Sequence, residues 1–228
     1  MREISFVSDH ELVSRSIRPQ EKESRPLFLV LSGNIGSGKT TLTKKLAERL
    51  TLTPFFEAVQ DNPYLEDFYR NMSQWSFPLQ IFFLNHRFRT HKQIQEHNTR
   101  SIQDRSIYED AHIFARALYD QKDMSKRDYE NYLCLYESMQ EYLRPPSLMI
   151  YLKRSVDRLH ERIQMRNRDC ERDLSPAYLE RLNEYYQQWF DSYQLGPKVC
   201  IETDHKDYLL NQNHFESLCD KIEHSLPV

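Results

Sequence analysis

Three of the chain's four glycines crowd into one window, Gly33-Asn34-Ile35-Gly36-Ser37-Gly38-Lys39-Thr40, directly after the apolar run Leu27-Phe28-Leu29-Val30-Leu31. A glycine, any four residues and then Gly-Lys-Ser/Thr is the pattern of a phosphate-binding loop, and each member has a physical task. The glycines let backbone amides close around phosphate oxygens, Lys39 carries charge to the outer phosphates, and the Thr40 hydroxyl can ligate Mg2+. The amphipathic stretch Lys39–Leu50 predicts a helix whose positive dipole end faces the same anion. Strand, loop and helix follow in the order the motif requires. The window, with the adjoining Thr41, therefore predicts a nucleoside triphosphate site.

The glycines also exclude alternatives. Gly196 is the only other one, so the Asp-x-x-Gly switch of a regulatory GTPase, the Gly-Gly signature of a transporter ATPase and a second dinucleotide loop are all missing. A chain of 228 residues suits one α/β domain with a proper core. Its formal net charge of -3 leaves no electrostatic footprint for nucleic acid. The apolar runs are far shorter than a bilayer span, so no membrane partner is expected. Residues 1–25 lack the apolar stretch of a signal peptide and carry acids (Glu3, Asp9, Glu11, Glu21, Glu23) that argue against a transit peptide. A cytoplasmic location is the expectation. Cys134, Cys170, Cys200 and Cys219 have no paired spacing and read as reduced, mostly structural thiols.

Residues 1–25 read as a flexible charged extension ending at Pro26, and residues 26–228 as the functional domain. Five short apolar segments predict strands over Leu27–Ser32, Pro54–Val59, Ser101–Arg105, Leu148–Leu152 and Val199–Glu202. Helix-like stretches separate them, including a long one over Ser76–Asn98 and another over Ser125–Leu143. The second carries a stripe of Tyr129, Tyr132, Leu133, Tyr136, Met139 and Leu143 that reads as core or a helix contact. Strands alternating with helices imply a parallel sheet covered on both faces, with ligands at the carboxyl ends of the strands.

Several side chains would meet at that edge. Glu57 is a carboxylate in the apolar setting Phe55-Phe56-Glu57-Ala58-Val59, where it needs a partner or a task. It could accept a proton from an attacking hydroxyl, or be a solvated strand-end acid. Asp104-Arg105 follows the third strand; the acid could hold Mg2+ and the arginine stabilise phosphoryl charge, or the two could form a surface ion pair. Gln80 and Arg87 share a helix face with Phe83 and Leu84 between them, a surface suited to a nucleobase, although such residues by themselves are more often solvated helix. Arg158, Arg162 and Arg166 recur every four residues, followed by Arg168 and Arg172. They read as an arginine lid over a triphosphate, with a basic face neutralised by Asp157, Glu161, Asp169 and Glu171 as the alternative.

Taken together, these residues resemble the deoxyribonucleoside kinase family across nearly everything after Pro26. The blocks that carry the resemblance are GNIGSGKTTL, PFFEAVQDNPYLEDFY, WSFPLQIFFLNHRFR, DRSIYEDA and RIQMRNRDCERD. The resemblance implies the P-loop kinase fold, an α/β architecture with a five-stranded parallel sheet flanked by helices and an arginine-rich lid, assembled as a homodimer through long helices. It implies transfer of the γ-phosphate of ATP to the 5'-hydroxyl of a deoxynucleoside, with Mg2+. By position, Glu57 matches the general base, Arg105 the arginine beside the acceptor hydroxyl, and Tyr69 and Glu171 the groups that hold the sugar 3'-hydroxyl. Gln80, Arg87 and Asp110 match positions that read the base. Arg162, Arg166 and Arg168 match the lid, and Thr40 and Asp104 the magnesium environment. The family's frequent Arg-Gly-Arg is here Arg166-Asn167-Arg168; asparagine is the next most tolerant residue of a left-handed backbone. The block Asp61-Asn62-Pro63-Tyr64-Leu65 is similar to the bacterial purine-preferring branch, which makes adenine the expected base. A nucleoside monophosphate kinase of thymidylate-kinase type and a non-catalytic ATP-binding regulatory protein are the competing readings.

Overall fold

The structure, a computed structural model, describes residues 26–57, 62–168, 171, 174–206 and 208–226. The expected extension over residues 1–25 lies outside the described residues, as do Asp61, Asp169, Cys170 and Arg172.

Five strands, β1 (Phe28–Ser32), β2 (Thr53–Phe55), β3 (Ser101–Asp104), β4 (Leu148–Lys153) and β5 (Lys198–Glu202), form an all-parallel sheet in the order β2-β3-β1-β4-β5. β1 sits at the centre, with Phe28 opposite Ser101 of β3 and Leu29 opposite Leu148 of β4. Its run is apolar throughout because both faces of a parallel sheet are covered. Phe28 and Val30, with Met149 and Tyr151, join one core cluster; Leu29 and Leu31, with Ile150 and Leu152, join the other. The first face is covered by α3 (Met72–His97), α6 (Lys126–Gln140) and α8 (Pro176–Ser192), and the second by α1 (Lys39–Leu50) and α9 (Gln212–His224). The remaining helices are α2 (Leu65–Arg70), α4 (Ile107–Glu109), α5 (Arg116–Asp120) and α7 (Val156–Arg166), with a π-helical turn over Asp110–Ala115 between α4 and α5.

α1 has the predicted bounds, and the α6 stripe packs into the first cluster. Several boundaries differ. β2 ends at Phe55, and the rest of its predicted run is Phe56 and Glu57 outside the strand, with Ala58 and Val59 outside the described residues. β3 ends at Asp104 because Arg105 takes a left-handed backbone, φ 66°. α3 begins at Met72 rather than Ser76: the Asn71 side chain accepts from the Gln74 amide and caps it, and Pro78 lies inside the helix. Among the described residues no helix is long and apolar enough to cross a membrane, and Cys134, Cys200 and Cys219 are free thiols.

Candidate active site

The phosphate loop joins β1 to α1. Gly33, Gly36 and Gly38 all have positive φ, and a Cβ at Gly36 would stand 2.8 Å from the carbonyl oxygen of Leu159 on α7. Only glycine lets the loop and that helix approach so closely. Asn34 anchors the loop from the other side: its Nδ2 donates to Leu179 O (2.9 Å) and Asn183 Oδ1 (2.8 Å) on α8, and its Oδ1 accepts from the Ile35 amide. Lys39 is buried and donates from Nζ to the carbonyls of Gly33 (2.7 Å) and Asn34 (2.8 Å). Burial, and then Arg105 nearby, lower its pKa to about 7. An arriving phosphate restores the charge that burial disfavours.

Across from the loop lies a cluster of buried charges. Glu57, just beyond β2, pairs closely with Arg87 of α3 and stands 3.4 Å from Arg105. Burial pushes the Glu57 carboxyl up, but Arg105, Arg87 and Lys39 together outweigh it and hold the group at about 2. Arg87 also pairs with Asp110 at the start of the π-helical turn and lies 5.1 Å over the Phe83 ring. Arg105 reaches Gly33 O at 3.4 Å and sits 4.6 Å over the Phe114 ring. Gln80, one α3 segment above Arg87, is buried with its Oε1 lacking a partner among the described residues.

These residues line a cavity of about 380 Å³ together with Ile35, Lys39, Thr40, Asp104, Tyr69, Arg166, Arg168 and Glu171. A second concavity of about 810 Å³ opens on the other side of Lys39, against Ser37, Gly38, Thr41, Arg158, Arg162 and the loop after β5. The two share Gly36, Lys39, Thr40 and Arg166. Sequence reasoning thus named groups that the fold brings to one place, with one redistribution. Arg162 and Arg166 line the second concavity, whereas Arg168, expected beside them, lines only the first, where it and Arg166 both engage Glu171. Leu65, Phe68, Leu79, Phe114 and Tyr178 also line the first cavity and were not anticipated. They are apolar or aromatic residues on helices, indistinguishable by pattern from ordinary core.

Thr40 Oγ1 donates to Asp104 Oδ2 at 2.5 Å, and Asp104 Oδ1 is buried without a partner among the described residues. Hydroxyl and carboxylate oxygens beside a phosphate loop are the hard donors Mg2+ takes, and the unpartnered oxygen fits such an ion. No cluster of three or more His, Cys, Asp or Glu able to hold a metal exists among the described residues. Mg2+ commonly takes only one or two protein ligands and completes its shell with phosphates and water.

A phosphate loop heading a parallel sheet, with a clamped carboxylate and two arginines facing its lysine, defines a nucleotide-binding phosphotransferase of the P-loop kinase fold. The chain belongs to the deoxynucleoside kinase family, whose profile matches residues 29–227. It is 39% identical over 197 residues to the deoxyadenosine/deoxycytidine kinase of Bacillus subtilis (strain 168), covering 86% of this chain and 91% of that one. It is 32% identical over 200 residues to the deoxyguanosine kinase of the same organism, covering 86% and 96%. Among solved structures it is similar to the deoxyadenosine kinase of M. mycoides with products dCMP and a flexible dCDP bound, with a TM-score of 0.75, 27% identity, and 87% of this chain and 100% of that chain covered.

Proposed function

We propose that this deoxynucleoside kinase transfers the γ-phosphate of ATP, with Mg2+, to the 5'-hydroxyl of a deoxynucleoside in nucleoside salvage, and that deoxyadenosine is the preferred acceptor. The observation that carries the reading is the pair of concavities meeting at Gly36, Lys39, Thr40 and Arg166. One is walled by paired charges and aromatic rings, the other by arginines, and Lys39 is common to both.

In this reading the base lies against Gln80, Arg87 and Asp110, the sugar 3'-hydroxyl against Tyr69 and Glu171, and the 5'-hydroxyl between Glu57 and Arg105. The 5'-oxygen forms its bond to the γ-phosphorus as the bond from that phosphorus to the ADP oxygen breaks, and the hydroxyl proton passes to Glu57. A carboxyl held at about 2 is ionised at neutral pH but weakly basic. It therefore takes the proton late, once bonding to phosphorus has made the hydroxyl acidic, in keeping with a loose transition state that needs positioning and charge stabilisation more than deprotonation. Arg105 supplies that stabilisation on the acceptor side and Lys39 on the donor side. Bound at Thr40 and Asp104, Mg2+ would neutralise the charge of the donor phosphates.

The base preference rests on the unpartnered Gln80 Oε1 and the Asp110 carboxylate, both acceptors that suit an exocyclic amino group such as that of adenine or cytosine. Thymine would turn an oxygen toward them. The relatives' names, deoxyadenosine/deoxycytidine and deoxyguanosine kinase, support an amino-bearing base. Residues 26–228 act as the kinase domain, as a cytoplasmic homodimer.

The test is phosphorylation of deoxyadenosine, deoxyguanosine, deoxycytidine and thymidine with ATP, with deoxyadenosine monophosphate as control. Deoxyadenosine should lead and thymidine should trail by a factor on the order of a hundred. A thymidine preference would overturn the base assignment, and faster turnover of the monophosphate would overturn the choice of acceptor hydroxyl.

A further inference from the structure

Arg105 is held by surprisingly little that touches its guanidinium. Its contacts to Glu57 and Gly33 O are both 3.4 Å, and its Nε has no partner among the described residues. Its direction comes instead from the backbone turn it begins and from the ring beneath it. Behind that turn lies Glu109, wholly buried and lining neither concavity. Its Oε1 accepts from the amide of Ser106, the residue after Arg105, at 3.0 Å. Its Oε2 accepts from the Tyr186 hydroxyl of α8 at 2.8 Å. The Tyr186 ring stacks on Tyr151 of β4, with centroids 5.7 Å apart, and meets the edge of Phe114, the ring under Arg105, at 6.2 Å.

From this geometry we infer that Glu109 and Tyr186 are positioning residues for Arg105: together they fix the left-handed turn from which it projects and the aromatic platform on which it rests. Resting on the proposed role of Arg105, the inference explains why a carboxylate is buried away from both substrates. A charge in such a place is costly unless it is hydrogen-bonded and faces an opposite charge. Burial pushes the Glu109 carboxyl above its ordinary value, an effect that Arg105 and Lys39 reduce without cancelling. A capping role alone would need only the Ser106 contact; the bond to Tyr186 ties the turn to the helix that also anchors the phosphate loop.

Steady-state kinetics of Y186F, R105A and the double variant, with whichever of the four deoxynucleosides is phosphorylated fastest, test the inference. Y186F should lower kcat roughly tenfold with both KM values within about twofold, and should lower it no further in the R105A background. E109A should exceed Y186F, and E109Q, which keeps an acceptor for the Ser106 amide, should recover most of the loss. Y186F retains the ring and its packing, so it carries the test even if E109A does not fold. An unchanged kcat in Y186F, or the same loss with and without Arg105, overturns the inference. A normal kcat in R105A overturns it too, and is recognisable as a failure of the Arg105 role itself.

Discussion

On the acceptor side of Lys39, Arg87 and Asp110 are almost sealed from solvent and Glu57 nearly so, each already paired with a neighbour. On the other side two of the three arginines of α7 stand in solvent, the Arg158 side chain 57% and that of Arg166 36% exposed, while Arg162 is half-buried. Buried charges persist only when their partners are fixed, so this cavity is preorganised, and as the proposed acceptor site it would reject a base whose polar groups do not match. Exposed arginines are screened and adjustable, and hold a polyphosphate by charge without reading its shape. In the proposed function, selectivity therefore falls to the cluster around Arg87, and donor capture to α7.

The harshest way to break this division is at its shared boundary. Lys39→Ala and Glu57→Gln should each reduce kcat by about a thousandfold, since both act where charge develops and the proton moves, while thermal melts stay cooperative. Near-normal single-turnover rates in Glu57→Gln would remove it as proton acceptor. Next comes selectivity: replacing Arg87 and Asp110 together with small uncharged residues should narrow the gap between deoxyadenosine and thymidine by roughly tenfold or more in kcat/KM. Replacing Arg87 alone leaves Asp110 buried and unpaired and should lower Tm more than the double replacement does. A subtler contrast separates two neighbouring arginines. Arg162→Ala should raise the KM for ATP by about tenfold, and Arg168→Ala, which loosens Glu171, should instead raise that for the nucleoside, as judged from initial rates with each substrate varied. Equal effects on ATP alone would return Arg168 to the donor side.

The smallest effect is a proton. The Lys39 pKa is lowered from 10.5 to about 7, so between those values the folded protein holds fewer protons than the unfolded chain and stability from this group rises with pH. Phosphate binding raises the pKa again. At pH 8 ATP binding should take up about half a proton or more, seen as a dependence of calorimetric heat on buffer ionisation enthalpy and absent from Lys39→Ala.

The donor half of this site was legible because its parts are contiguous: glycines, lysine and helix follow one another, and α1 has its predicted bounds. The acceptor half is assembled from the residue after β2, α3, β3, the π-helical turn and the residues after α7; Glu57, Gln80, Arg87 and Arg105 stood out by residue type and position, whereas Tyr69, Asp110 and the role of Glu171 could be named only through the resemblance of whole blocks. β2 was read too long because Phe55-Phe56 continues an apolar run; Glu57 must leave the ladder to reach two arginines. α3 starts four residues before Ser76 although this places Pro78 inside it; the cost of a proline in a helix interior is outweighed by the packing of a 26-residue helix. The π-helical turn has no sequence signature. Glu109 did leave one: Ser106-x-x-Glu109 is a capping-box pattern, and its Glu109 half forms, the carboxylate accepting from the Ser106 amide.

The strand order has a consequence for how the protein comes into being. β1 is the first of the five described strands to be made yet occupies the middle of the sheet, and it acquires its two neighbours only when Ser101–Asp104 and then Leu148–Lys153 have been added. A growing chain thus carries a complete phosphate-loop sequence with nothing on either side to give it shape. Pairings between segments so distant in sequence form slowly, and an apolar strand with open edges adheres to other chains in the meantime. Nascent chains stalled before Leu148 should need chaperones to stay dispersed, and the capacity to grip a nucleotide should appear late in synthesis and all at once.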